Sequence, residues 1–355
     1  MNNKRNFITT ILACISALAL ISASCSFFTS AVGSQPSSTA SGNQQQSSSA
    51  TSESGVTVVT EVPSQSGSNT TPAPGEPPTP APKKAPQSPA PCQDPTCVLD
   101  GNFVLHRPVG GGGRKTIDVS YRYGVFKQFS KDGHHGVDFL NSTGTPVVAA
   151  AAGKVVVAGD DSSQNYGLAR NTYGNLVIIQ HSLPGISDPV FTLYAQLSQV
   201  SVKVNDKVKA GQQIGLVGMS GNVKGSTLHF EVRMGENSYK ATRNPELWLQ
   251  QLDDENGQQT GALAGRIMNG KGEYVALRNI VLERLGDSSK PVLQTIYLRT
   301  YAAASMWGQP PFMESFGAGS LPAGKYQVSI YLNGNHQQIV EVKPGKLSFV
   351  NLTVP

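Results

Sequence analysis

Three features predict an all-β protein. Only 14% of the 355 residues are charged, the chain holds 37 glycines and 23 prolines, and its apolar residues come in short β-branched runs between turn signals. The length is about twice that of a typical domain, which suits two folded units plus some unfolded chain. The net charge of +5 comes from 28 basic and 23 acidic residues. That balance lacks the basic stripe of duplex-binding modules and excludes a nucleic-acid role.

At the N-terminus, Lys4 and Arg5 precede an apolar run from Phe7 to Ile21, which is shorter than the ~20 residues of a spanning helix. The run reads as the core of an export signal, with a membrane-spanning anchor as the alternative. Ser22-Ala23-Ser24-Cys25 follows and resembles the bacterial lipobox, although Ser22 stands where leucine is usual. Residues 1–25 are therefore expected to be a signal peptide, with lipidation at Cys25. The localisation expected is the cell envelope, held to the membrane by a lipid anchor; with ordinary cleavage nearby it would be a freely secreted protein. Residues 26–91 are rich in Ser, Gln, Thr, Ala and Pro. Such a segment buries too little apolar area to offset its ordering entropy, so it is expected to be a disordered tether. Cys92 and Cys97 have no further soft ligands close by for a zinc cage, and a disulfide is the better reading for an exported chain.

The first folded unit is placed at 92–255. Its strand-like runs include Lys154-Val155-Val156-Val157-Ala158, Asn175-Leu176-Val177-Ile178-Ile179 and Phe191-Thr192-Leu193-Tyr194. The stretch Val202 to Gly215 resembles the hairpin of barrel-sandwich folds. A second all-β unit is placed at 256–355, where Gln327 to Leu332 alternates and Asn333-Gly334 suits a tight hairpin. The turn placement around Gly261 to Ile267 and Leu321 to Tyr326 resembles a prealbumin-like β-sandwich.

In His134-His135-Gly136-Val137-Asp138, a histidine and a carboxylate stand four apart, an even spacing that puts both on one face of extended chain. Downstream, Thr227 to Arg233 alternates strictly, with Leu228, Phe230 and Val232 on one side and His229 on the other. Two imidazoles and a carboxylate are the donor set of a catalytic zinc site with an open fourth position. By themselves these residues are more simply two surface histidines and an unrelated aspartate. Tyr194, Tyr173 and Trp248, at strand spacing beside aliphatic residues, are expected in the core, with ligand stacking as the alternative; Trp307, Phe312 and Phe316 read either as a sugar-binding face of the second unit or as aromatics of its sandwich core and loops.

The surroundings of the histidines resemble the lysostaphin-type (LytM-like) zinc endopeptidase family, which cleaves peptides of peptidoglycan. The matching pieces are His134-x-Gly136-Val137-Asp138-Phe139, Gly144-Thr145-Pro146-Val147, Tyr173-Gly174-Asn175, Leu193-Tyr194-Ala195, Gly211-Gln212-x-Ile214-Gly215, Leu228-His229-Phe230-Glu231 and Asn244-Pro245. The resemblance implies a lysostaphin-type β domain, zinc held by His134, Asp138 and His229, and peptidoglycan as substrate. Two departures stand beside these matches: the family's H-x-H is here Thr227-Leu228-His229, and its Tyr-Ala-His is here Tyr194-Ala195-Gln196. Both histidines that usually flank the zinc water are replaced. Thr227 can orient a water and Gln196 can donate a hydrogen bond, but neither moves a proton at neutral pH. Candidate substitutes are His181, whose simpler reading is structural hydrogen bonding, and Glu231, which shares a face with His229 and reads equally as a surface carboxylate. His135 is expected to be an exposed loop residue. The resemblance leaves two readings: a zinc-dependent hydrolase of peptidoglycan peptides, or a weak or inactive member of the fold that binds the wall or regulates a cell-wall amidase.

Overall fold

The computed structural model describes residues 91–126, 132–301 and 306–355. The predicted signal peptide, the lipidation expected at Cys25 and the tether as far as residue 90 lie outside the described residues. Seventeen strands run in order: β1 (Thr96–Leu99), β2 (Val137–Leu140), β3 (Pro146–Val148), β4 (Gly153–Asp160), β5 (Asn175–His181), β6 (Val190–Val200), β7 (Lys207–Val208), β8 (Gln213–Val217), β9 (Thr227–Met234) and β10 (Thr242–Arg243). They continue as β11 (Gly261–Asn269), β12 (Asn279–Leu285), β13 (Val292–Arg299), β14 (Phe316–Leu321), β15 (Gly324–Tyr331), β16 (Asn335–Val342) and β17 (Leu347–Val354). The only helical pieces among the described residues are two 3₁₀ turns, Tyr239–Ala241 and Pro245–Leu247. The expected all-β class is the one observed, and no helix among the described residues is long and apolar enough to cross a membrane.

A nine-stranded sheet carries β2 to β10 and is built on the antiparallel path β10-β9-β6-β5-β4-β7. β2 adds to β9, and β8 bridges β3 and β6. Alternation along β9 works as the sequence pattern predicts, because Leu228, Phe230 and Val232 enter the main apolar core with Val137 and Phe139 of β2. The opposite face is not solvated. Thr227, His229, Glu231 and Arg233 are all buried there, beside a second apolar cluster that includes Leu176 and Ile178 of β5 and Leu193 and Ala195 of β6.

Two four-stranded sheets, β1-β17-β11-β14 and β13-β12-β15-β16, complete the fold. Leu263, Phe316 and Val350 of the first sheet pack against Ile280, Tyr326 and Val328 of the second, which makes a β-sandwich. Asn333 and Gly334, both at positive φ, turn β15 into β16 as the hairpin signal predicts. β17 runs parallel to β11 on one side and antiparallel to β1 on the other, so Val98 faces Ser348 and Cys97 faces Phe349. Cys92 and Cys97 form a disulfide with their Cα atoms 5.8 Å apart beside this pairing. Ala262, Ala264, Leu347 and Phe349 share one core with Leu247, Trp248 and Leu249, so apolar packing is continuous between the nine-stranded sheet and the sandwich.

Candidate metal centre

Strand register brings the first two members of the site together. Asp138 of β2 lies directly opposite His229 of β9, and Ala195 of β6 flanks His229 on its other side. Directly opposed residues hold their Cβ atoms about 5 Å apart, within reach of one ion. His134 arrives differently from the extended-chain expectation, because β2 begins only at Val137 and a bend at 135–136 separates it from His134. That bend is possible because position 136 is glycine. A Cβ there would lie 2.5 Å from the carbonyl oxygen of Phe230 and 2.7 Å from Cε1 of His229. The missing side chain is the space that the His229 ring occupies.

His134 Nε2 lies 3.2 Å from His229 Nδ1, and Asp138 Oδ1 sits 3.3 Å from the first and 2.9 Å from the second. One ligand atom from each residue falls within 4.8 Å of the others, and all three residues are buried. The outer nitrogen of each ring is engaged elsewhere. His134 Nδ1 donates to the Tyr121 carbonyl at 2.7 Å and the ring stacks on Tyr121, with centroids 3.9 Å apart. His229 Nε2 donates to Glu231 Oε1 at 3.2 Å. A carbonyl can only accept, which places the proton of neutral His134 on the outer nitrogen and turns its lone pair inward.

The charges follow from this packing. Burial holds His134 below the usual imidazole range, with Asp138 acting against it. Burial also acts to lower His229, but hydrogen bonds to Asp138 and Glu231 overcome it and push the group up to about 9. Asp138 is held well below the carboxylate range: burial would raise it, and the two imidazoles outweigh burial. Glu231 falls to about 2, because Arg233 and His229 more than offset its burial. Glu231 is fully buried, which corrects the surface reading. Arg233 Nε donates to its Oε2 at 2.8 Å, and the Tyr173 hydroxyl donates to Oε1.

The donors open into a cleft of about 340 Å³, walled by Tyr121, Asp132, Leu168, Tyr173, Gln196 and Tyr239 among others. Gln196 has φ +66° and gives its backbone N–H to the Tyr173 carbonyl at 2.8 Å. Its side-chain Oε1 is buried in the cleft with no hydrogen-bond partner. Thr227 is not part of the cleft wall; it is 2% exposed and donates to the Phe139 carbonyl at 3.3 Å. His181 closes β5 and is bonded to the Ala152 carbonyl at 2.9 Å and Thr192 Oγ1 at 2.7 Å, away from the cleft lining.

His135 departs from the exposed loop expected of it. It is 2% exposed, stacks on Tyr239 with centroids 3.7 Å apart, bonds Thr242 Oγ1 at 2.8 Å and lies 3.3 Å from Asp132 Oδ2. The bend that delivers His134 turns its neighbour inward as well. Tyr194 and Trp248 are core residues as expected, whereas Tyr173 also lines the cleft. Tyr121, Asp132 and Tyr239 carry no sequence signal, because they reach the site through a loop and a single 3₁₀ turn.

Residues 132–241 match peptidase family M23. Outer membrane antigenic lipoprotein B of Histophilus somni is 43% identical over 101 residues, which is 28% of this chain and 26% of that protein. Murein hydrolase activator NlpD of Salmonella dublin is 38% identical over 104 residues, 29% of this chain and 24% of the relative. Peptidoglycan DD-endopeptidase ShyA of Vibrio cholerae is 39% identical over 99 residues, 28% of this chain and 20% of the relative. The chain thus matches about a quarter or less of the length of these relatives.

Proposed function

We propose that the protein, whose residues 132–241 match peptidase family M23, is a zinc-dependent endopeptidase of the cell envelope that hydrolyses peptide bonds in peptidoglycan. The observation that carries this reading is the donor set: His134 Nε2, His229 Nδ1 and Asp138 Oδ1 converge while Tyr121 and Glu231 occupy the outer ring nitrogens. The inward nitrogens of His134 and His229, only 3.2 Å apart beside a carboxylate, are placed to share a cation, which would take the position of the proton His229 holds there. A carboxylate or carbonyl behind each ligating histidine is the usual device for fixing tautomer and ring orientation.

His134, Asp138 and His229 would hold the zinc, which would supply Lewis-acid chemistry toward the scissile carbonyl and a bound water. The chain's own residues do the rest. Glu231 holds the Nε2 proton of His229, and the Tyr121 carbonyl holds the Nδ1 proton of His134. The unpartnered Oε1 of Gln196 accepts an N–H of the bound peptide, which orients the backbone in the cleft. Neither Gln196 nor Thr227 shuttles a proton, and loss of a general acid–base costs roughly 10² to 10⁴ in rate. Slow turnover is therefore expected. As an exported protein anchored through Cys25, it would work on the wall beside its membrane.

Those two residues also support a second reading, a protein that binds wall peptide or activates a cell-wall hydrolase without turnover; NlpD is described as such an activator. The test combines zinc quantification on the purified protein with mass spectrometry of muropeptides released from peptidoglycan. One zinc per chain and peptide-bond products that vanish in His229→Ala support hydrolysis. Wall binding, or stimulation of an amidase with no products of its own, supports the second reading. Absence of zinc removes the first.

A further inference from the structure

His134 is oriented by a segment that lies outside the M23-matching residues, and that segment is held in turn by the sandwich. Besides the Tyr121 contacts, Gly124 N donates to the His134 carbonyl and His134 N to the Val125 carbonyl, each at 2.9 Å. Residues 121–126 thus run beside the ligand as a short backbone clamp. Their other side meets residues beyond 241. The Tyr123 ring stands edge-on to Tyr301, with centroids 5.0 Å apart at 87°, and the two rings bury each other with Met306. Gly124, at φ +83°, passes so close that a Cβ would lie 3.1 Å from Tyr301 Cδ1. The Arg299 guanidinium stands 4.9 Å over the Phe126 ring, and Arg122 pairs with Glu246, whose Oε2 also accepts from Gly319 N of β14 at 2.9 Å. Tyr301 is itself fixed, accepting at its hydroxyl from Asn244 Nδ2 at 2.9 Å and giving its N–H to the Ser315 carbonyl at 2.7 Å.

We propose that Tyr301 and Arg299 of the sandwich are positioning residues for the metal centre, holding segment 121–126 so that its Tyr121 carbonyl and ring fix His134. The inference rests on the metal-centre reading above and extends it to a part of the chain that contributes no ligand. A donor group must be held to within about 0.5 Å to keep its affinity. A clamp buttressed by the sandwich as well as by Thr242 and Glu246 makes that control depend in part on the sandwich.

The test uses the full chain with zinc alone and with cobalt(II) alone as probes. Tyr301→Leu, which removes the ring edge, is expected to weaken zinc binding about 10-fold, in line with loss of outer-shell support, and to change the cobalt(II) visible spectrum. Tyr301→Phe keeps the ring and is expected to bind zinc as the wild type does. Arg299→Met releases the same segment from a half-buried position and is read in the same way, so the test stands even if Tyr301→Leu does not fold. Val340→Ala in the sandwich core is the control, expected to lower the melting temperature without altering affinity or spectrum. Folded Leu and Met variants with wild-type affinity and spectrum overturn the inference alone, as does an equal loss of affinity in the control. A wild-type chain that binds no zinc overturns the metal-centre reading and this inference with it.

Discussion

Glu314 and Gln196 are buried polar residues whose chemistry is set by what surrounds them. Burial raises the Glu314 carboxyl to about 8, and the hydrogen bond from Gln309 N and the charges of Arg243 and Arg266 offset that only partly. The folded chain therefore holds a proton that the unfolded chain releases near its ordinary value of 4.5. Stability falls as pH rises from 4.5 through 8, because over that interval the folded state binds more protons. Thermal melts from pH 5 to 9 are expected to show this decline, and Glu314→Gln is expected to flatten it. At Gln196 the unpartnered Oε1 lies in the cleft that also holds His134, Asp138 and His229. Gln196→His is expected to raise muropeptide release by roughly 10²-fold if general acid–base catalysis is what the natural site lacks. Thr227 offers no such gain, since it is packed against the Phe139 carbonyl outside the cleft.

Along the elements, β2 and β9 do most to build the site. Their alternation was legible because apolar Val137 and Phe139, like Leu228, Phe230 and Val232, leave Asp138 and His229 to the other face. The bend at 135–136 was not legible, since it depends on Phe230 and His229 filling the space beside Gly136. Gly136→Ala tests this directly. Forcing a methyl into that space is expected to cost about 1–3 kcal/mol of stability and to abolish stoichiometric zinc, as measured by denaturant unfolding and metal analysis. The same packing explains why His135 is buried. A residue-by-residue reading sees a loop histidine, while the bend turns it onto Tyr239 and Thr242.

For the molecule as a whole, the division at 255 drawn from the sequence crosses a continuous core. β17 lies between β1 and β11, and Phe349 packs with residues of the nine-stranded unit. A chain ending at residue 255 is expected to be insoluble or to lack cooperative melting, because β1 loses its partner strand and Leu247 to Leu249 lose their cover. Phe349→Ala, which leaves the topology intact, is expected to lower unfolding free energy by about 3–5 kcal/mol, as read from denaturant titration. A truncated chain that melts cooperatively and keeps its zinc would refute this coupling.

The sequence by itself determined the all-β class and the alternation of β9, because these depend on periodicity that any local window carries; the three candidate donors were legible only through the family resemblance of the motifs around them. Tertiary structure alone decided that Glu231 is a buried partner of His229 and Arg233, that Thr227 is withdrawn from the cleft, and that the sandwich shares the core of the nine-stranded unit. Those outcomes are set by register and by packing between strands and loops distant in sequence, as where Thr227 meets Phe139 and Tyr173 meets Glu231. Strand alternation says which face a side chain takes; only the packing of the remaining chain says whether that face meets water, a partner charge or a neighbouring sheet.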